Sequence, residues 1–263
     1  MKVSIIGAGA MGGALAEGLL ERSREQFGLS VSNPSQSALD MLASKGAKTG
    51  HDNRVCIKGA DVIVLAVKPW IVPEVIAEIR SEIDYKRQIV AVIAASVSGD
   101  DLKAWFDKGN GELPQIVICM PNTAMSVGKS MTFLVPVNIA GGSSAISDVA
   151  SMFNLLGETM TIDERYLPAA TALASCGIAY AMRYVRAAVE GGVELGFKAD
   201  IAQKMVTQTL IGACALLERP GAHPESEIDK VTTPGGLTIK GLNEMEHAGF
   251  TSAVIRGLKA CVK

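Results

Sequence analysis

Residues 3–20, VSIIGAGAMGGALAEGLL, decide how the rest of the chain is read. Val3, Ile5 and Ile6 form a short apolar run that suits a buried parallel strand. It leads directly into Gly7-Ala8-Gly9-Ala10-Met11-Gly12, a G-x-G-x-x-G spacing. After that, Leu15 and Leu19 recur at helical spacing, while Ala14, Ala16 and Gly18 are small enough for close packing on a sheet. In a strand–loop–helix each glycine has a task. Gly7 permits the tight turn, Gly9 lets a pyrophosphate approach the backbone, and Gly12 lets the helix lie close to the strand. Free N–H groups and the positive helix end then face the phosphates. A bare glycine-rich turn is a common feature. Its place here, after the first strand and opening a helix, makes dinucleotide binding the expectation.

The 263 residues allow one large or two smaller domains. A net charge of −2, with both signs interspersed, argues against a nucleic-acid surface. Cys56, Cys119, Cys176, Cys214 and Cys261 show no C-x-x-C spacing and are read as reduced core thiols, with no metal site. The first strand begins at residue 3, which leaves no room for a signal peptide, and Lys68, Pro69 and Pro73 interrupt the nearest apolar run. A cytoplasmic protein with no membrane partner is expected.

Residues 29–33 are read as the second strand, whose end normally meets the adenosine ribose. An acidic residue there would bond the free 2′-hydroxyl and repel a 2′-phosphate. The chain instead has Ser32, Asn33, Pro34 and Ser35, with no carboxylate before Asp40. This neutral loop favours NADPH, with NADH still accommodated because no arginine is present; the alternative is an Asn-Pro turn that touches no cofactor. Residues 61–67, DVIVLAV, are the clearest buried strand and stop at Lys68-Pro69, on the cofactor side of an open sheet. Lys68 can reach a phosphate or ribose there, or remain solvated. Residues 88–94, 115–119 and 131–135 are further strands, followed by a helix over 147–156 and a short strand near 159–162. The alternation predicts an α/β fold: an N-terminal doubly wound parallel sheet of the Rossmann type over residues 1–162.

From residue 163 the strand signal disappears, and 163–263 is predicted to be an all-α domain. Helices are expected over 167–196 with a break near Gly177, over 199–218, over 237–246, and over 252–262 with Thr251 as N-cap. Residues 220–236 read as a polar connection. About a hundred residues make a thin core, so this domain is expected to interlock with a second copy as a homodimer, or within a higher homo-oligomer. Residues 229–238, DKVTTPGGLT, place Pro-Gly-Gly just before a helix, with the hydroxyls of Thr232, Thr233 and Thr238 around it. Free N–H groups at such a helix start can bind a carboxylate; the alternative is an ordinary helix-start loop.

These blocks together make the chain resemble pyrroline-5-carboxylate reductase. The resemblance runs through GAGAMGGALAEGL, LAVKP, MPNT, Tyr180 with VEGGVELG, and DKVTTPGGLTIKGLNEME. It implies NAD(P)H-dependent reduction of 1-pyrroline-5-carboxylate to L-proline, with a C-terminal helical dimerisation domain. By matching position it implies cofactor contacts from Gly7, Ala8, Gly9, Ala10, Met11, Asn33, Asn53, Ala66, Val67, Lys68 and Pro69, with Met120 and Asn122 near the nicotinamide. Thr233, Gly235, Gly236, Leu237 and Thr238 match the substrate loop, Thr238 being placed to hydrogen-bond the ring nitrogen. One departure stands out: where the family usually reads SGSGPAY, this chain has Cys176 for serine and Ile178 for proline.

A cyclic iminium can arrive already protonated, so no strong side-chain acid is required. This fits a chain whose three histidines, His51, His223 and His247, read as surface or loop residues. A β-hydroxyacid dehydrogenase would share the glycine loop but needs a lysine in the first helix of the helical domain, and none occurs between Leu167 and Phe197. A non-catalytic nucleotide-sensing protein on the same fold is the remaining alternative.

Overall fold

The computed structural model describes residues 1–23 and 25–262 and divides into two units, Met1–Ser175 and Cys176–Lys263. The first unit is built on an eight-stranded sheet. Its elements run β1 (Lys2–Ile6), α1 (Ala10–Ser23), β2 (Gly28–Ser32), α2 (Gln36–Ser44), β3 (Lys48–Gly50), α3 (Asn53–Cys56), β4 (Val62–Leu65), α4 (Val72–Ile79), β5 (Ile89–Val92), α5 (Gly99–Phe106), β6 (Gln115–Met120), β7 (Ser130–Asn138), α6 (Ala145–Phe153), β8 (Gly157–Thr161) and α7 (Leu167–Ala170). The strand order is β3-β2-β1-β4-β5-β6-β7-β8.

The central strands are apolar on both faces because both faces are covered. Val62, Val64, Val117 and Cys119 pack with Leu15, Leu19 and Phe153 on one side; Ile63, Leu65, Ile116 and Ile118 pack with Val72, Ile76 and Phe106 on the other. Successive residues of one strand thus feed two cores, each fully buried side chain contributing about 1.5–3 kcal/mol. The order reverses between β1 and β4, and the chain ends of these strands open a crevice there.

Two features depart from an all-parallel sheet. β7 runs antiparallel to β6 because residues 121–129 form only a 3₁₀ turn, Thr123–Val127, closed by Gly128 at φ 71°, and give no room for a crossover helix. β8 pairs parallel to β7, so the last two strands oppose the rest. Pro136 sits inside β7 beside the register shift at Ile116/Val117, beyond the stretch that pairs with β8, where its missing N–H leaves no ladder bond broken. β3, a polar Lys-Thr-Gly edge strand, carries no apolar pattern and goes unseen in the sequence.

The predicted break near Gly177 is a π-helical turn, Thr171–Cys176, continuous with the helix that follows. The second unit is all helical: α8 (Gly177–Glu194), α9 (Ala199–Leu217), α10 (Pro224–Val231), α11 (Leu237–His247) and α12 (Phe250–Ala260). α8 and α9 pack through small residues, a Cβ on Gly192 falling 2.8 Å from that of Ala202. Ala202 is the only residue of α8–α12 that a single chain buries, and Met182 and Leu195 stand 65% and 82% exposed.

Three expectations are corrected in this half. The connection over 220–236 contains α10, which starts with Pro224 in its first turn, Glu225 and Glu227 near its positive end and Lys230 near its negative one. Thr251 is not an N-cap: Gly249, at φ 83°, both ends α11 and precedes α12, and the Thr251 hydroxyl donates to Glu246 Oε1 at 2.6 Å. The thiols are not all core groups. Cys119 is buried and Cys56 half-buried, burial pushing both thiols up, whereas Cys214 and Cys261 are exposed in the single chain.

Candidate functional site

The crevice at the ends of β1, β2, β4 and β5 is a cleft of about 580 Å³. Its floor is the glycine loop, and the three glycines are used for three different reasons. Gly7 lies at φ 98°, and a Cβ there would come 2.6 Å from the Ala66 carbonyl oxygen. Gly12 tucks α1 against the loop, since its Cβ would meet Gly7 O at 1.9 Å. Gly9 faces open space, with nothing within 4 Å of a Cβ. Strand, turn and helix have therefore left room at the middle glycine of the loop. Gly9 O accepts from Gly13 N at 2.7 Å, so Gly9 stands at the head of α1, whose positive end points into the opening.

The residues around the opening are held by one another. Asn33 Oδ1 accepts from Ala8 N at 3.0 Å, tying the end of β2 to the glycine loop. Asn53 accepts from Ser32 Oγ at 2.7 Å and donates to Glu78 Oε2 at 2.8 Å, which fixes the orientation of its amide. Ala66, Val67, Lys68 and Pro69 line the wall beyond β4, with the Lys68 side chain exposed, and Gly7, Gly9, Ala10, Met11, Asn33 and Asn53 line the rest. His51, read from sequence as a surface residue, also lines the cleft and touches Asn33. A single polar residue in an edge-strand loop carries no sequence signal for this. Among the described residues, the cleft fits a dinucleotide: open N–H groups for phosphates, amides at the ribose end, and apolar walls for rings.

Not all of the implied cofactor residues line this cleft. Ala8 contributes only its backbone bond to Asn33, and Met120 and Asn122 lie outside the lining. The Asn122 side chain is spent on structure. Its Oδ1 caps the 3₁₀ turn by accepting from Ala124 N at 3.0 Å, and its Nδ2 donates to the Ala174 carbonyl in the π-turn at 3.4 Å. Four residues on from Ala174, Ile178 carries a backbone N–H that a proline there would lack.

The predicted substrate loop belongs to the second unit and forms its own turn. Gly236 N donates to Thr233 O at 2.9 Å, with Pro234 and then Gly235 at φ 70° between them, a type II turn. That bond removes Gly236 N–H from any anion site. The N–H groups of Leu237, Thr238 and Ile239 open α11, which no side chain caps, so they precede the helical ladder. Leu237 and Thr238 are exposed. Tyr180, also in this unit, has its hydroxyl 2.7 Å from Sγ of Cys261, the residue that closes α12; that contact pushes its ionisation up to about 12.

Comparison with known proteins bears on both units. A family model described as pyrroline-5-carboxylate reductase dimerisation matches residues 164–263, and one described as NADP oxidoreductase, coenzyme F420-dependent, matches residues 2–96. Pyrroline-5-carboxylate reductase 1 of Dictyostelium discoideum is 34% identical over 97% of this chain, which spans 48% of that protein's length. Pyrroline-5-carboxylate reductase 2 of the same organism is 32% identical, with 97% of this chain and 89% of the relative covered. The structure of pyrroline carboxylate reductase from Plasmodium falciparum with NADP bound superposes with a TM-score of 0.85 at 25% identity, covering 100% of this chain and 95% of that one. With these matches spanning both the glycine-loop unit and the helical unit, the chain belongs to the pyrroline-5-carboxylate reductase family.

Proposed function

We propose that this protein reduces the C=N bond of 1-pyrroline-5-carboxylate to give L-proline, with NADPH preferred over NADH as the donor. The observation that carries the reading is the open approach at Gly9 beside a neutral β2 end, in a chain of this family. A bound nicotinamide cofactor supplies the hydride. The chain's own residues bind and orient. The N–H groups at the head of α1 hold the pyrophosphate, and Asn33 and Asn53, locked by their neighbours, meet the ribose end. Met120 and Asn122 contribute to the nicotinamide end, Asn122 by bracing the backbone there. Thr233, Gly235, Gly236 and Leu237 shape the turn that presents the substrate carboxylate to the head of α11, and the Thr238 hydroxyl donates to or accepts from the ring nitrogen.

The proposed division of labour falls at residues 162/163, next to the start of the dimerisation match at residue 164, while the two compact units part later, at Ser175/Cys176. The helical unit associates as a homodimer, or as part of a larger homo-oligomer, through the apolar side chains that one chain leaves uncovered. The proposed setting is the cytoplasm; no described helix is long and apolar enough to cross a membrane. The test is oxidation of NADPH and of NADH on addition of 1-pyrroline-5-carboxylate, with proline identified as the product. No turnover with either cofactor would overturn the reading, and equal efficiency with both would overturn the NADPH preference alone.

A further inference from the structure

One run of contacts at the rim of the cleft sets both ring nitrogens of His51 against oxygen acceptors. Its Nδ1 is 2.9 Å from the Asn33 carbonyl oxygen, and its Nε2 is 2.9 Å from Gln36 Oε1. A carbonyl oxygen only accepts. The Gln36 amide cannot turn over to offer a donor, because its Nε2 donates to Asp40 Oδ1 at 2.7 Å. Reversed, it would set oxygen against carboxylate. Both ring nitrogens therefore face acceptors, and only the imidazolium carries a proton on each. A neutral ring would hold one of these contacts lone pair to lone pair. The other charges nearby have their own places. Asp52 Oδ1 accepts from the N–H groups of Arg54 and Val55, Glu78 Oε2 accepts from Asn53, and Lys68 and Glu74 line the same cleft.

His51 stands beside the end of β2, where a sheet of this order meets the adenosine ribose. The loop there offers Ser32, Asn33, Pro34 and Ser35, with no arginine to receive a 2′-phosphate. We propose that His51, as the imidazolium, is the group that recognises the 2′-phosphate of NADP, doing from the β3–α3 loop what an arginine after β2 would otherwise do. It attracts the phosphate by charge, and it can pass the Nε2 proton from a neutral acceptor, Gln36 Oε1, to an anionic one, which makes the stronger bond. The inference rests on the NADPH preference proposed above.

The test is calorimetric titration of the full chain with NADP⁺ and with NAD⁺, for the wild type, His51→Gln and His51→Arg. The expected result is that the preference for NADP⁺ falls about tenfold or more in His51→Gln, the worth of a charge-assisted hydrogen bond, and is largely kept in His51→Arg. Nitrogen NMR of the wild-type complex with NADP⁺ should show both nitrogens of the His51 ring protonated. A wild type with no preference overturns the cofactor reading on which the inference stands. A wild-type preference that survives in His51→Gln, an equal loss for both dinucleotides, or a neutral ring in the complex overturns the role of His51 alone.

Discussion

Gly9→Ala and Gly12→Ala add the same methyl group three residues apart, and the structure assigns them opposite consequences. At Gly12 the methyl carbon would fall 1.9 Å from the Gly7 carbonyl oxygen and 2.9 Å from Ala66 Cβ. The first neighbour is backbone, so α1 has to move off the loop. Overpacking of this kind costs about 1–3 kcal/mol or more. In a chain of this length each kcal/mol lowers Tm by about 2–4 °C, so a fall of several degrees is expected. At Gly9 the methyl carbon meets nothing within 4 Å, and the backbone is not in the left-handed region. Alanine is a poorer helix cap than glycine by up to about 1 kcal/mol, and the stiffer unfolded chain returns about 0.4–1 kcal/mol. The two nearly cancel, so Gly9→Ala should melt within about 3 °C of the wild type. In the proposed binding mode its methyl group stands where the pyrophosphate comes, however. Losing even one charge-assisted N–H contact costs about 1.5–3 kcal/mol, or roughly ten- to a hundred-fold in NADP⁺ affinity. Differential scanning calorimetry and titration with NADP⁺ on both variants decide the matter. A Gly9→Ala protein that binds NADP⁺ as the wild type does would refute the assignment of this opening to the pyrophosphate.

Three further outcomes are expected. Thr238→Val should lower kcat/KM for the imine by roughly ten- to a hundred-fold, the worth of a hydrogen bond to a charged group, with little change in Tm, because the Thr238 side chain is exposed; steady-state kinetics beside a melting curve separates this from a merely structural threonine. Asn33→Asp keeps an acceptor for Ala8 N but brings a negative charge to the ribose end, so NADPH should lose affinity and NADH much less, as paired titrations would show. Tyr85 donates to Phe106 O at 2.6 Å, and burial pushes its ionisation up to about 12. The folded chain holds this proton more tightly than the unfolded one, so the stabilisation is whole below about pH 10 and is lost as pH rises toward 12. Urea unfolding at pH 7 and at pH 11 should show that loss in the wild type and less of it in Tyr85→Phe.

The strands that matter for the cofactor were legible because a both-faces-buried parallel strand must be apolar at every position, as VIVL and IVAV are. The elements that escaped are those whose sequence carries no such demand. β3 is a polar edge strand held by its neighbour alone, and α10 is a mostly exposed helix recognisable only from Pro224 and its flanking charges. Thr251 has the chemistry of a cap, but the left-handed backbone of Gly249 had already set the boundary two residues earlier.

At the candidate site the division is similar. G-x-G-x-x-G after a strand, the missing carboxylate after β2 and the Pro-Gly-Gly before α11 are local constraints on backbone and charge, and a chain cannot satisfy them without displaying them in its residues. The direction of β7, the openness at Gly9 against the crowding at Gly12, and the ring of His51 between Asn33 and Gln36 depend on segments far apart in the chain. Distance between such segments is set by packing of the two cores around the sheet, and no pattern within any one segment encodes it.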